Sequence, residues 1–238
     1  MKCFLTSSPM IPGTNTLNPE NGFADKLRAS LRSPCKALFI CSDPDGYDRT
    51  DMFAMQLKAG FEDAGFSFLR YDILDGRNRD QAGELVGKAE FLILAGGHVP
   101  TQNRFFNEIG LKTILRSYNG VLMGISAGTM NSAEVVYAHP ELDGEAIDPD
   151  FRKYLPGLGL TDKMILPHYQ LIRDDVLDGL RVMEDIAYPD SMGRCFYILP
   201  DGSWLYSEDG REQLFGEAWL LSEGRLSPIC AKGASVNF

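Results

Sequence analysis

A serine inside a glycine-rich turn is the residue of this sequence best suited to covalent chemistry. Residues 121–132 read VLMGISAGTMNS, in which Gly124, Ser126 and Gly128 form a G-x-S-x-G pattern after an apolar run. Between a strand and a helix, this pattern makes a sharp bend that lifts the serine above the sheet. The free N–H groups at the start of the helix favour a developing negative charge. Ser126 is therefore a candidate nucleophile, and an inert serine in a tight turn is the alternative.

Three histidines are the candidate general bases for such a nucleophile. His168 ends a short apolar segment, MILPH, that could form a further strand. Because the carboxyl ends of the strands in an open parallel sheet share one edge, we expect His168 to arrive beside Ser126. His139 lies in an irregular segment, and His98 follows a Gly-Gly turn. The position after a strand favours His168 as the base.

An acid should orient the imidazole, and backbone N–H groups should stabilise the oxyanion. The spacing does not choose among the six carboxylates that the loop after the serine offers, which are Glu134, Glu141, Asp143, Glu145, Asp148 and Asp150. The turn at residues 95–98 ends the strand that precedes the nucleophile strand. Its unpaired N–H groups could form an oxyanion hole with the Ala127 amide, and a simple chain reversal is the alternative.

The elements that must position these residues alternate between strands and helices. Short apolar runs at residues 37–41, 91–95 and 121–125 predict buried parallel strands, a mixed run at 66–71 predicts a strand nearer an edge, and residues 1–5 could add another. Apolar residues at helical spacing predict helices over 50–64, 103–117 and 175–187. This alternation favours a mainly parallel sheet that helices cover on both faces.

The pattern changes near the C-terminus to short strands separated by Pro-Asp-Gly, Glu-Asp-Gly and Glu-Gly turns. The predicted strands cover residues 195–199, 203–206, 218–221 and 226–230. They predict an antiparallel extension of the same domain, so we expect residues 1–238 to form a single domain. The acidic and proline-containing residues 137–156 have no clean period and predict a long loop beside the serine motif.

Composition limits the classes of protein to which the chain can belong. The 238 residues are 44% hydrophobic and 24% charged, which is ordinary for a globular protein. A net charge of −10 argues against sequence-independent binding to nucleic acid. No apolar run is long enough for a membrane helix, and the N-terminal apolar stretch is too short for a signal peptide. Five scattered cysteines without a C-x-x-C pair favour reduced thiols, with neither a zinc site nor a disulfide framework, in a cytoplasmic protein.

Three motifs in this order resemble one family of serine peptidases. Leu94-Ala-Gly-Gly, Gly-Ile-Ser-Ala-Gly and Leu-Pro-His-Tyr are similar to motifs of the peptidase E (S51) family, which includes α-aspartyl dipeptidases and is related to cyanophycinases. Leu199-Pro-Asp-Gly-Ser-Trp-Leu resembles their C-terminal hairpin. The resemblance implies a flavodoxin-like, class I glutamine amidotransferase-like three-layer sandwich, in which a serine replaces the cysteine of that superfamily. It implies no metal and no organic cofactor.

The resemblance also implies roles for individual residues. Ser126 matches the nucleophile, His168 the base, and Gly97 with Ala127 the oxyanion donors. The acid of the family lies about fifteen residues beyond the serine, on Glu141 here. Because the interval from the serine to the histidine is longer than in the aspartyl dipeptidases, two further acids stay open, which are Asp143 and Glu145.

One departure from the family concerns the substrate. Family members usually continue Gly-Gly-Gly-Asn, whereas this chain has His98 after Gly97. His98 is therefore a candidate substrate-binding residue, and the aspartyl preference stays open. A preference for aspartate would need a cation near the substrate carboxylate, for which Arg173 and Arg104 are candidates.

The leading hypothesis is a serine-dependent hydrolase of short peptides, an exopeptidase or dipeptidase that works through an acyl-enzyme. The alternatives are an amide or ester hydrolase and a member of the same fold that binds a small ligand without turnover. A standard α/β-hydrolase is disfavoured because no histidine follows His168, and a cysteine-dependent amidotransferase is excluded because position 126 is serine. A small peptide is the expected partner, nucleic acid and membranes are not, and a homodimer is left open.

Overall fold

The computed structural model describes residues 1–238. The strands are β1 Lys2–Thr6, β2 Cys35–Ile40, β3 Phe68–Leu74, β4 Phe91–Leu94, β5 Val121–Ile125, β6 Val135–Tyr137, β7 Tyr154–Pro156, β8 Met164–Leu166, β9 Val176–Leu177, β10 Leu180–Arg181, β11 Cys195–Ile198, β12 Trp204–Glu208, β13 Arg211–Phe215, β14 Ala218–Ser222, β15 Arg225–Cys230 and β16 Ser235–Asn237. The helices are α1 Phe23–Ser30, α2 Tyr47–Asp63, α3 Ala82–Lys88, α4 Val99–Glu108, α5 Leu111–Leu115, α6 Ala127–Met130, α7 Tyr169–Ile172 and α8 Tyr188–Asp190. No helix has the length and apolar character needed to cross a membrane.

The main sheet has eight strands in the order β16-β13-β12-β1-β5-β4-β2-β3. The five strands from β1 to β3 in this order run parallel. β12 pairs antiparallel with the other side of β1, and β13 and β16 continue the sheet outward. A second sheet has the order β15-β14-β11-β8, and two short pairs join β6 to β7 and β9 to β10.

Alternating side chains of the buried strands supply two separate hydrophobic layers. Phe39 and Ile93 face α1 and α2, where they pack with Leu27 and Phe61. Their neighbours Leu38, Ile40, Leu92 and Leu94 face α3, α4 and α5, in a cluster that includes Val86, Phe105 and Leu111. Because successive side chains of a strand point to opposite faces, an unbroken apolar run requires cover on both sides. The mixed α/β architecture with a mainly parallel sheet is therefore confirmed.

Two of the predicted helices differ in the structure. The segment predicted as one helix over residues 103–117 forms α4 and α5, which are separated at Gly110 with a left-handed φ of 65°. The helix predicted over 175–187 is wrong, because β9 and β10 form a hairpin and a π-helical turn follows at Val182–Ala187. The hairpin turn contains Asp178 and Gly179 with φ values of 53° and 81°. An Asp-Gly pair that supplies two positive φ values is a strong hairpin signal, and it overrides the helical spacing.

Candidate active site

The serine motif forms a strained turn at the carboxyl end of β5. Ser126 has a φ of 49° and a ψ of −111°, a backbone conformation that residues other than glycine rarely adopt. A Cβ on Gly128 would lie 2.3 Å from the Leu94 carbonyl oxygen, and one on Gly124 would lie 2.8 Å from the Thr129 nitrogen. Both glycines are needed because the one-turn helix α6 packs directly on the sheet. The predicted strand–turn–helix context of the serine is present.

The turn after β4 brings a second element to the same edge of the sheet. Gly97 has a φ of 146°, and a Cβ there would lie 2.2 Å from Ser42 Oγ. The Ala95 carbonyl accepts hydrogen bonds from the Gly128 N–H at 3.1 Å and from the Gln102 side-chain amide at 2.7 Å. The Gly97 N–H donates no hydrogen bond within the protein. The turn is therefore held in place with a donor left free, and Ala127 begins α6, where the first N–H groups lack partners within the helix.

His168 stands in the αL region, with a φ of 57° and a ψ of 37°, directly before α7. Its Nδ1 lies 2.7 Å from Asp201 Oδ1. Since a carboxylate only accepts hydrogen bonds, Nδ1 carries the proton and Nε2 is left as the basic nitrogen. Burial raises the pKa of Asp201, but hydrogen bonds from His168 and Ser7 outweigh it and hold that pKa below its usual value. The pair is an ionised carboxylate and the imidazole that it orients.

The acid beside His168 differs from the one predicted. Glu141 makes no hydrogen bond to His168, and its main-chain N–H donates to Glu145 Oε2 at 2.9 Å. Burial, and then the nearby charge of Glu145, raise the pKa of the Glu141 carboxyl to about 8. A group that is mostly protonated at pH 7 is a poor partner for an imidazolium ion. The structure therefore places Asp201, and not Glu141, beside His168, and the alternative Asp143 is exposed.

The predicted substrate-binding residues also have other partners. Thr101 Oγ1 lies 2.8 Å from His98 Nδ1, and Glu145 Oε1 lies 2.9 Å from His98 Nε2. Because both ring nitrogens are engaged within the protein, His98 ties the 138–153 loop to the Gly-Gly turn. Arg173 is exposed and pairs with Asp174 at 2.8 Å. Neither His98 nor Arg173 lines the cavity described below, and the other candidate, Arg104, is exposed.

A cavity of about 510 Å³ joins these elements. Ser126, His168, Gly96 and Gly97 are among the residues that line it. The remaining lining residues come from the segment after β1, from β2, from α2 and from the ends of β4 and β5, and they are Ser8, Met10, Thr14, Asn15, Phe39, Phe53, Gln56, Leu57, Ala95 and Ile125. No Asp, Glu, Lys or Arg side chain lines it. Ser126 and His168 both face this space without a hydrogen bond between them, a contact that often tightens only around substrate.

The remaining histidine is buried among the residues behind this site. His139 is 6% exposed, and its Nδ1 has no hydrogen-bond partner. Burial, and then the charge of His168, lower the pKa of His139 to about 4, so its ring is neutral at pH 7. No cluster of three or more His, Cys, Asp or Glu side chains has the arrangement of a metal site.

Two residues of the site were missed by the sequence analysis. Asp201 lies in the Pro-Asp-Gly turn between β11 and β12, where the pattern predicts only a chain reversal. Ser7 follows β1 in a Ser-Ser-Pro segment and is fully buried. The one available signal was the position of each residue beside the end of a predicted strand.

Comparison with known structures places the fold among peptidases. The crystal structure of a peptidase from an acI-B1 Actinobacterium is similar over 100% of this chain and 96% of its own, with a TM-score of 0.69 and 16% identity. That of a putative peptidase E protein from Listeria monocytogenes EGD-e is similar over 89% of this chain and 96% of its own, with a TM-score of 0.60 and 15% identity. At these identities the similarity establishes the fold.

The family assignment comes from the sequence. No curated protein matches the chain significantly. The model of peptidase family S51 matches residues 4–215, a range that includes Ser7, Gly97, Ser126, His168 and Asp201. Since this match covers most of the chain, the protein belongs to peptidase family S51 and is a serine-type peptidase.

Proposed function

We propose that the protein hydrolyses short peptides with uncharged side chains, through an acyl-enzyme formed on Ser126. The observation that carries the proposal is the hydrogen bond between His168 and Asp201 at the edge of the cavity that Ser126 also lines. It supports an imidazole whose Nε2 is free to accept a proton in the cavity that the strained Ser126 also lines.

The proposed reaction uses groups of this chain alone. Ser126 Oγ attacks the scissile carbonyl while its proton passes to His168 Nε2, and Asp201 stabilises the imidazolium ion that forms. The N–H groups of Gly97 and Ala127 donate to the oxyanion. His168 then returns the proton to the leaving amine as the C–N bond breaks. A water molecule, deprotonated by the same nitrogen, releases the acid and restores Ser126.

The dimensions of the cavity support a short substrate. A volume of about 510 Å³ is within the range of small-molecule sites. The 138–153 loop is tied to the residue after Gly97 by His98 through Glu145, and the Gly144 and Ala146 N–H groups donate to Asp178 at 2.9 and 3.0 Å. A loop tied at two points supports restricted access to the turn that carries Gly97.

The composition of the cavity wall supports a neutral side chain in the substrate. Met10, Phe53 and Leu57 provide apolar contacts, and Asn15 and Gln56 provide neutral amides. A substrate carboxylate would lose its hydration there and would meet no lysine or arginine in return. We therefore expect leucyl, methionyl or alanyl peptides to be cleaved in preference to aspartyl or glutamyl peptides.

The test is hydrolysis of matched dipeptides and tripeptides in the Asp-X, Glu-X, Leu-X, Met-X and Ala-X series, with Ser126→Ala in parallel. Cleavage of the neutral series that the variant abolishes would support both the nucleophile and the selectivity. Cleavage of Asp-X alone would overturn the neutral preference and leave the nucleophile in place. If no peptide is cleaved and a serine-directed fluorophosphonate does not label Ser126, the proposed activity is wrong.

A further inference from the structure

Ser7 is placed at the junction of the elements that carry the site. It follows β1, which pairs with β5 on one side, where Thr6 lies opposite Ile125, and with β12 on the other, where Thr6 lies opposite Trp204. The nucleophile follows β5, and Asp201 precedes β12. One residue after the end of β1 therefore lies between the nucleophile and the acid.

The hydrogen bonds of Ser7 reach Ser126, His168 and Asp201. Its carbonyl accepts the Ser126 N–H at 3.0 Å, an N–H that the Thr6 carbonyl also accepts at 3.1 Å. Its hydroxyl oxygen accepts the His168 main-chain N–H at 2.8 Å and donates to Asp201 Oδ1 at 2.7 Å. Ser7 is 0% exposed, so water cannot replace these contacts. A hydroxyl has one proton to donate, and here that proton is committed to the carboxylate.

The Ser7 hydroxyl acts on the base in two ways. Its bond to the His168 N–H holds the αL backbone conformation that aims the ring. The hydroxyl also donates to Asp201 Oδ1, the same oxygen that accepts the hydrogen bond from His168 Nδ1–H. The negative charge of that oxygen is therefore shared between two donors. Without the hydroxyl, the position of the His168 ring would be less fixed. His168 would then be the one remaining donor to Asp201 Oδ1.

We infer that Ser7 is a positioning residue that aligns the nucleophile, the base and the acid through its carbonyl and its hydroxyl. This inference rests on the proposed function. Ser7 does not line the cavity, so it is expected to act on turnover without acting on substrate binding.

The test compares Ser7→Ala with a matched control, Ser191→Ala. Ser191 is also 0% exposed, and its hydroxyl donates to the Tyr188 carbonyl at 2.7 Å and accepts the Gly224 N–H at 2.9 Å, away from the cavity. For Ser7→Ala we expect kcat to fall by about 10- to 100-fold with little change in KM, the range for lost hydrogen bonds to a charged group. Ser191→Ala should change neither.

A second variant separates hydrogen bonding from packing. Ser7→Cys restores the side-chain volume with a weak donor and acceptor, so it should remain nearly as impaired as Ser7→Ala. Recovery of wild-type kcat in Ser7→Cys would overturn the positioning role. The same conclusion would follow if both alanine variants lost activity in parallel with a loss of thermal stability.

A measurement without substrate separates this inference from the proposed function. The Nδ1 proton of His168 should give a downfield resonance in the wild-type protein, identified by its loss in His168→Gln. It should move in Ser7→Ala and stay in place in Ser191→Ala. If the wild-type protein cleaves no peptide, the proposed function fails while this resonance still decides the role of Ser7. An unmoved resonance in Ser7→Ala would overturn the inference.

Discussion

The two sides of the cavity are built in different ways. On the nucleophile side, Gly97 and Ser126 follow the neighbouring strands β4 and β5 of one parallel sheet. On the base side, His168 follows β8 of the second sheet, Asp201 follows β11, and Ser7 follows β1. The nucleophile side depends on short-range geometry that a motif can encode. The base side depends on contacts between distant segments, which no single stretch of sequence contains.

The connection from β11 to β12 explains why the base side is assembled there. The chain leaves the second sheet at β11 and joins the main sheet at β12. At the start of this connection, Leu199 N–H donates to the Leu166 carbonyl at 2.9 Å, and its own carbonyl accepts the Tyr169 N–H at 3.1 Å. The turn that carries His168 is thus attached to the segment that carries Asp201. The junction of the two sheets sets the geometry of the base.

The largest expected effect is on the nucleophile. Ser126→Ala removes the attacking oxygen, so kcat/KM for a cleaved peptide should fall by at least about 10⁴-fold. Circular dichroism and thermal unfolding should match the wild-type protein, since alanine retains the Cβ at this position. Residual activity within tenfold of wild type would mean that Ser126 is not the nucleophile.

The next effect distinguishes the two candidate acids. Asp201→Asn should lower kcat by about 10³- to 10⁴-fold, because an amide favours the wrong tautomer of His168 and cannot stabilise its charge. Glu141→Gln should change kcat at pH 7 by less than about threefold, since this carboxyl is already mostly protonated there. Steady-state kinetics of the two variants side by side make the measurement. The reverse ranking would return the role of the acid to the loop.

A smaller effect tests how tightly the nucleophile side is packed. Gly128→Ala places a Cβ against the Leu94 carbonyl and should lower the free energy of unfolding by about 2–4 kcal/mol. The matched control is Gly87→Ala in α3, where a Cβ meets nothing within 4 Å and should raise that free energy by up to about 1 kcal/mol. Urea denaturation measures both variants. Equal stability of the two would show that α6 can move away from the sheet.

The smallest effect concerns pH and the loop beside the base. The folded protein holds the Glu141 proton up to a pKa of about 8, whereas the unfolded chain releases it near its ordinary value of 4.5. The contribution of this proton to the free energy of unfolding is therefore lost as the pH rises from 4.5 to about 8. Between pH 6 and 9 the wild-type protein should lose about 2–3 kcal/mol more than Glu141→Gln, measured by urea denaturation. Parallel pH profiles would show that the carboxyl is hydrated.

Much of the fold could be predicted from the sequence because its signals are local. Continuous apolar runs and glycine-bounded turns identified the central strands of the parallel sheet, and the spacing of Phe53, Leu57 and Phe61 indicated α2. Helical spacing failed at residues 175–187, where the Asp178-Gly179 turn imposes a hairpin. The spacing of apolar residues shows only which face each would occupy if a helix formed. It does not show that the Asp178-Gly179 pair favours a turn over a helix.

The sequence by itself determined the candidate nucleophile, because the residues that form the bend at Ser126 and allow the close approach at Gly128 adjoin one another in the chain. It also indicated the base, since His168 directly follows a short strand. Only the tertiary structure decided the acid. Asp201 lies 33 residues beyond His168 and Ser7 lies 161 before it, and strand pairing brings the three together. A carboxylate in a turn looks the same in sequence whether water or an imidazole faces it, and the packing of two sheets decides which it meets.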